Sequence, residues 1–178
     1  MRIRMTAIAA ALATAAVTGL AAQTGVTKEN VPGITNFARL QTTVACAGAT
    51  KADSVPEIKK MGFAAIINVR EANEPGAEVD KEEAAAKTVG LHFVHIPFNL
   101  NAPAPDLVDR FLATIRKPEN NPAFIHCAGG GRAASLWTIK RMMIDGWDQQ
   151  RAFEEGTALG LTARLQPFVL DYVQTHKR

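Results

Sequence analysis

The most informative segment of this chain runs from residue 122 to residue 137 and reads Pro122-Ala-Phe-Ile-His-Cys-Ala-Gly-Gly-Gly-Arg-Ala-Ala-Ser-Leu-Trp137. It begins with an apolar segment typical of a buried strand, passes through three consecutive glycines, and continues with the periodicity of an amphipathic helix. Glycines let successive backbone N–H groups converge, a helix N-terminus adds partial positive charge, and the Arg132 guanidinium can bind two anionic oxygens. The pattern therefore predicts an anion-binding loop. Its residues are Ala128, Gly129, Gly130 and Gly131, followed by Arg132.

Cys127 lies at the start of this loop, where the same positive field favours the thiolate form. The thiolate is the nucleophilic form of cysteine, so we predict that Cys127 is a nucleophile. We expect His126 to support the loop through the hydrogen bonds of its ring. A buried structural cysteine followed by an ordinary turn is the alternative interpretation, but it leaves the glycines and Arg132 unexplained.

Outward from the loop, apolar β-branched segments alternate with segments of helical period. This alternation predicts a single α/β domain with a central, mostly parallel sheet of about four to five strands flanked by helices. The predicted strands cover 42–46, 63–69, 92–97 and 123–127. The predicted helices cover 53–61, 79–89, 104–116, 132–145, 148–158 and 166–176. The charged residues within 81–87 indicate a solvated helix face.

The N-terminus has the three parts of a secretory signal peptide. Two arginines precede an apolar, alanine-rich run over 5–20, which ends in the small residues Ala21 and Ala22. The run is shorter than the roughly 20 residues that span a bilayer. We predict a signal peptide over 1–22, a polar and unanchored segment over 23–33, and the folded domain over 34–178. The expected location is periplasmic or secreted, without a stable membrane span after cleavage.

Composition limits the partners of the mature domain. The chain of 178 residues carries a formal net charge of +3, and two of its arginines lie in the predicted signal peptide, so the remainder is nearly neutral. We therefore expect no nucleic-acid partner. The histidines and the two cysteines, Cys46 and Cys127, show no metal-ligand spacing, so we expect no metal and no cofactor. Cys46 is either a packed free thiol, which we favour, or a resolving partner of Cys127. The oligomeric state stays open.

The loop from His126 to Arg132 resembles the signature loop of cysteine-dependent protein tyrosine and dual-specificity phosphatases. The resemblance extends over 31–161 and favours the small bacterial branch, which includes the phosphatase-like domain of beta-lactamase-hydrolase-like proteins. It implies that Cys127 attacks phosphorus to form a phosphocysteine, that Arg132 holds the phosphoryl oxygens, and that the backbone over 128–132 stabilises the developing charge. The expected substrate is a phosphomonoester on a protein or a small molecule. Outside the loop, the resemblance to this family rests on five further motifs, Asn36-Phe37, Ala47-Gly48, Ile67-Asn68-Val69-Arg70, Ile96-Pro97 and Asp145-Gly146-Trp147.

The loop departs from the commoner pattern of that superfamily in two ways. Only four residues separate Cys127 from Arg132, whereas most tyrosine phosphatases have five, and Ala133 replaces the usual Ser or Thr. The shorter spacing also resembles the loop of some rhodaneses, in which the cysteine carries a persulfide. A sulfurtransferase therefore remains an alternative, as does a weakly catalytic module that binds phosphate or sulfate.

The general acid of such a phosphatase is not evident. Where the resemblance places an Asp, the chain has Asn99 and Asn101, whose amides cannot donate a proton in this way. Asp106 is the nearest carboxylate and a weak candidate, because its position also suits the first turn of a helix. Glu71 and Glu74, after another predicted strand, are the alternatives. A phosphatase without an acid should act slowly on alkyl phosphates and better on activated aryl esters.

Overall fold

The computed structural model describes residues 24–176, in which six strands form one sheet in the order β1-β2-β3-β6-β4-β5. The last four strands of that order are mutually parallel, whereas β1 and β2 are antiparallel. The predicted α/β domain with a mostly parallel sheet is confirmed, with two more short strands at one edge. The strands are β1 (Val26–Lys28), β2 (Ala38–Leu40), β3 (Val44–Ala47), β4 (Ala65–Asn68), β5 (His92–His95) and β6 (Ala123–His126).

Among the described residues, six α-helices cover the two faces of the sheet. Side chains alternate between these faces along each strand, so each strand contributes to two cores. Val44 and Cys46 of β3 face the larger core, which the last four helices complete. Ala45 and Ala47 face the smaller core, which the first two helices complete. The helices are α1 (Val55–Lys60), α2 (Val79–Thr88), α3 (Leu107–Ile115), α4 (Gly131–Met143), α5 (Gln149–Leu159) and α6 (Gln166–His176). Within residues 24–176, no helix is long and apolar enough to cross a membrane.

The segment over 23–33 is anchored where the structure describes it, contrary to the expectation from sequence. Val26 pairs with Leu40 and Lys28 pairs with Ala38, so β1 forms the edge of the sheet. A strand of three residues with exposed side chains is too short to show a periodic pattern. The predicted signal peptide over 1–22 lies outside the described residues.

The parallel strands bring the loops of the candidate site together. Asn68 of β4 pairs with both His126 of β6 and His95 of β5. The carboxyl ends of these three parallel strands therefore lie next to one another. The loops that follow their carboxyl ends therefore lie side by side.

Candidate active site

The loop after β6 wraps around the sulfur of Cys127. Cys127 is 2 % exposed, and its Sγ accepts a hydrogen bond of 3.0 Å from the backbone N–H of Gly130. Gly130 directly precedes α4 and has φ +98°, a conformation that side-chain-bearing residues rarely adopt. The glycine is therefore required for the turn that brings its N–H to the sulfur.

The remaining amides of the loop are oriented by contacts on its outer side. The Ala128 carbonyl accepts from the Ala49 N–H at 2.9 Å, and the Gly129 carbonyl accepts from Asn36 Nδ2 at 3.1 Å. A trans peptide places each C=O opposite the next N–H. The N–H groups of Gly129 and Gly130 consequently point away from these two donors, and the N–H of Gly130 is directed at the Cys127 sulfur.

Arg132 is held from one side and open on the other. Its Nη1 donates to Glu74 Oε1 at 2.6 Å and to the Phe98 carbonyl at 2.7 Å, while Nη2 donates to Glu74 Oε2 at 2.8 Å. A guanidinium has five N–H donors, and these contacts use three of them. Among the described residues, the edge formed by Nε–H and the second Nη2 hydrogen has no oxygen acceptor and faces the side of Cys127, so it can bind two oxygens of an anion.

The two charges of this pair stabilise each other. Burial alone would raise the pKa of the Glu74 carboxyl, but hydrogen bonds from Arg132, the Glu71 N–H and Arg70, with the charge of Arg132, lower it to about 2. Burial would lower the pKa of Arg132, but its bond to Glu74 and the charge of a Cys127 thiolate raise it. Glu74 is therefore an anion at neutral pH and a positioning group for Arg132, and it cannot supply a proton.

Cys127 and Arg132 open into a cleft of about 660 Å³. One wall carries Glu71, whose Oε1 accepts a hydrogen bond of 3.0 Å from Asn99 Nδ2. Asn99 and Asn101 do line the cleft, at the position where the resemblance places an acid. The remaining lining residues are Glu74, Leu100, Ala128, Gly129, Gly131, Thr162, Arg164 and Leu165.

Three of the predicted site residues do not line the cleft: Asp106, the weak acid candidate, Gly130 and His126. Asp106 lies on another element. It forms the N-cap position of α3, and its Oδ2 lies 4.0 Å from Arg110 Nε. Asp106 thus lies at the helix terminus, as its position in the sequence also suggested, although its side chain makes no capping hydrogen bond. Glu71 and Glu74, the alternatives, both reach the cleft.

The sequence reasoning missed a buried polar cluster next to Cys127, formed by His126, Glu82 and Asn68. His126 Nε2 lies 2.9 and 3.1 Å from the two carboxylate oxygens of Glu82, and Asn68 Nδ2 donates to Glu82 at 2.7 Å. Glu82 is 1 % exposed, so the expectation of a solvated face over 81–87 is wrong at this position. Val79, Glu82 and Ala86 are spaced so that they share one buried helix face. The many charged residues of this helix obscured that spacing in the sequence.

The residues that follow Arg132 differ from the commoner phosphatase pattern, as the sequence indicated. Ala133 is buried at the position of the usual Ser or Thr, and Ser135 Oγ donates instead to the Arg132 carbonyl at 2.8 Å. Cys46 and Cys127 are both free thiols, and burial together with the charges of Cys127 and Glu155 raises the pKa of Cys46. Within residues 24–176, no group of three or more His, Cys, Asp or Glu side chains is arranged to hold a metal.

Known proteins share both the fold and the sequence pattern. Residues 36–144 match the family described as beta-lactamase hydrolase-like protein, phosphatase-like domain. The beta-lactamase hydrolase-like protein of Agrobacterium fabrum is 29% identical over 119 residues, which are 66% of this chain and 27% of that protein. The chain thus spans about a quarter of the length of this curated relative.

Two solved structures show the same fold at low sequence identity. A DUF442 protein from Shewanella putrefaciens is 17% identical with a TM-score of 0.69, covering 82% of this chain and 96% of that one. TpbA of P. aeruginosa is 19% identical with a TM-score of 0.62, covering 84% of this chain and 89% of that one.

The fold, together with the family match over residues 36–144, places the chain in the class of phosphatase-like α/β domains. Within that class, the chain belongs to the family of phosphatase-like domains of beta-lactamase hydrolase-like proteins.

Proposed function

We propose that this protein is a cysteine-dependent phosphatase that hydrolyses phosphomonoesters through a phosphocysteine intermediate. The observation that carries the proposal is the convergence of three groups on one cleft. They are the Cys127 sulfur, the glycine loop that continues from it through Ala128, Gly129 and Gly131, and the Arg132 guanidinium.

The geometry supports an in-line displacement at phosphorus. Arg132 and the loop N–H groups bind the nonbridging oxygens of the phosphoryl group, where negative charge is concentrated. The Cys127 sulfur attacks phosphorus, and the bond from phosphorus to the leaving oxygen breaks. Water then attacks the phosphocysteine, the S–P bond breaks, and its electron pair returns to sulfur as the thiolate.

The rim of the cleft favours an aryl ester. Leu100 is 38% exposed beside the opening, and Leu165 also lines the cleft, so an aromatic leaving group has apolar contacts. A structure of a P. aeruginosa TpbA variant holds pTyr, which shows that the shared fold accommodates such a group in that protein. We propose phosphotyrosine-like esters, on a protein or a small molecule, as the substrates.

The test compares p-nitrophenyl phosphate hydrolysis with thiocyanate formation from thiosulfate and cyanide. The proposal predicts phosphate release that Cys127→Ser abolishes. Arg132→Lys should lower kcat/KM by about 10²- to 10³-fold, because lysine lacks the planar pair of donors. Thiocyanate formation without phosphate release would support the sulfurtransferase that the four-residue loop spacing also allows. Oxyanion binding with neither reaction would indicate a binding module.

We also propose that the protein is exported by a signal peptide over 1–22, on the strength of its charge, apolar run and small residues. Expression of the full chain in a Gram-negative host should yield a periplasmic protein whose N-terminal residue is Gln23. A cytoplasmic protein that retains Met1 would contradict export.

A further inference from the structure

The proposed reaction needs a proton donor for the leaving oxygen, and the structure restricts where that donor can come from. Asn99 and Asn101 are amides, and Asp106 does not line the cleft. The Glu74 carboxyl has its pKa lowered to about 2 and both oxygens engaged by arginines. Among the described residues that line the cleft with Cys127, Glu71 is the remaining carboxyl group.

Glu71 is fixed beside the phosphoryl-binding groups by two contacts. Its backbone N–H donates to Glu74 Oε1 at 2.9 Å, the same oxygen that Arg132 Nη1 contacts at 2.6 Å. Its side-chain Oε1 accepts from Asn99 Nδ2 at 3.0 Å. Asn99 is itself fixed, because its Oδ1 accepts from the backbone N–H groups of Asn101 and Ala102.

This arrangement leaves the second carboxyl oxygen of Glu71, Oε2, free to exchange a proton with a substrate. Within residues 24–176, Glu71 Oε2 has no hydrogen-bond partner, and the residue is half-buried in the wall of the cleft. The amide at the usual acid position thus orients a carboxyl group that comes from the loop after a different strand, β4.

We infer that Glu71 is the general acid and base of this phosphatase, an inference that rests on the proposed function. As Cys127 attacks, the bond to the leaving oxygen breaks, and that oxygen takes the proton of the Glu71 carboxyl. In the second step, the Glu71 carboxylate accepts a proton from water as the water oxygen attacks phosphorus. The S–P bond then breaks, phosphate leaves, the thiolate is restored, and Glu71 is protonated again.

Leaving-group dependence tests this role. Glu71→Gln should lower kcat/KM for an alkyl phosphate such as phosphoserine by about 10²- to 10⁴-fold. The same variant should lose less than about tenfold in kcat/KM for p-nitrophenyl phosphate, because p-nitrophenolate leaves without a proton. Its kcat on that substrate should fall further, because hydrolysis of the phosphocysteine lacks its general base and becomes rate-limiting. The first turnover should then release one equivalent of p-nitrophenolate as a burst.

Two matched variants separate this role from a structural one. Asp106→Asn should leave both substrates unaffected, and Glu74→Gln should lower kcat/KM for both substrates by the same factor, since it loosens Arg132. Equal losses on both substrates in Glu71→Gln, or no loss on the alkyl phosphate, would overturn the inference. Retention of turnover in Cys127→Ser would instead contradict the proposed function itself, so the two failures are distinguishable.

Discussion

Glu74 is the residue that connects the stability of the domain to its site. Its carboxylate is 18% exposed and bonds Arg132 through both oxygens, and its pKa falls from the usual 4.5 to about 2. A carboxyl whose pKa is lowered by folding stabilises the folded state at pH values above its unfolded pKa. That contribution is lost as pH falls from about 4.5 through about 2.

Glu74→Gln should therefore reduce the free energy of unfolding by about 1–2 kcal/mol at pH 7, less than the full equivalent of the pKa shift because solvent screens the partly exposed carboxylate. The difference between variant and parent should shrink as pH falls below about 4.5 and approach zero near pH 2. Urea unfolding of both proteins at a series of pH values measures it. A difference that stays constant between pH 7 and pH 3 would contradict the role of this pair.

Individual residues were predictable where the interacting groups are neighbours in the chain. Cys127, the glycines and Arg132 fall within one short loop, so their residue types and order already indicate the chemistry. The partners of Arg132 and His126 come from elsewhere, with Glu74 and Glu82 separated from them by 58 and 44 residues. Only the folded sheet brings these groups together.

Among the structural elements, the strand-loop-helix unit of β6 and α4 depends on one backbone conformation. Gly130→Ala should cost about 1–2 kcal/mol in the free energy of unfolding, because an L-residue is strained at φ +98°. Gly129→Ala is the matched control, since a Cβ there meets no atom within 4 Å and its φ is not positive. Thermal unfolding compares them, and equal stabilities would contradict the requirement for glycine at 130.

Helix α2 supplies the buried carboxylate of Glu82, which contacts His126, the residue before Cys127. Glu82→Ala should destabilise the domain by about 1–3 kcal/mol, because it leaves the buried side chains of His126 and Asn68 without their hydrogen-bond partner. Glu83→Ala, at the exposed neighbouring position, should change stability by less than about 0.5 kcal/mol. Guanidinium unfolding measures both changes. Similar stability of the two variants would show that the cluster is not structural.

Elements were predictable in proportion to their length and periodicity. Helix α3 shows its apolar stripe of Leu107, Phe111 and Ile115 in the sequence, and the structure buries that stripe. Strands β1 and β2 have three residues each, too few for an alternating pattern, so they become visible only through their pairing with β3.

For the whole molecule, the parallel strand order determines which loops can share a site. The loops after β4, β5 and β6 meet at one edge of the sheet, and they carry Glu71, Asn99 and Cys127. The sequence favours a parallel sheet but does not order its strands. The acid candidates could therefore be named from the sequence, whereas choosing between Asp106 and Glu71 required the fold.

The covalent intermediate on Cys127 provides the most direct test of the account. The protein is mixed with p-nitrophenyl phosphate, quenched within one turnover, digested, and the peptide containing Cys127 is analysed by mass spectrometry. We predict one phosphoryl group on Cys127 in the parent, a larger fraction in Glu71→Gln, and none in Cys127→Ser. Phosphate release by the parent with no phosphoryl group on this peptide, or with equal release by Cys127→Ser, would contradict the central claim.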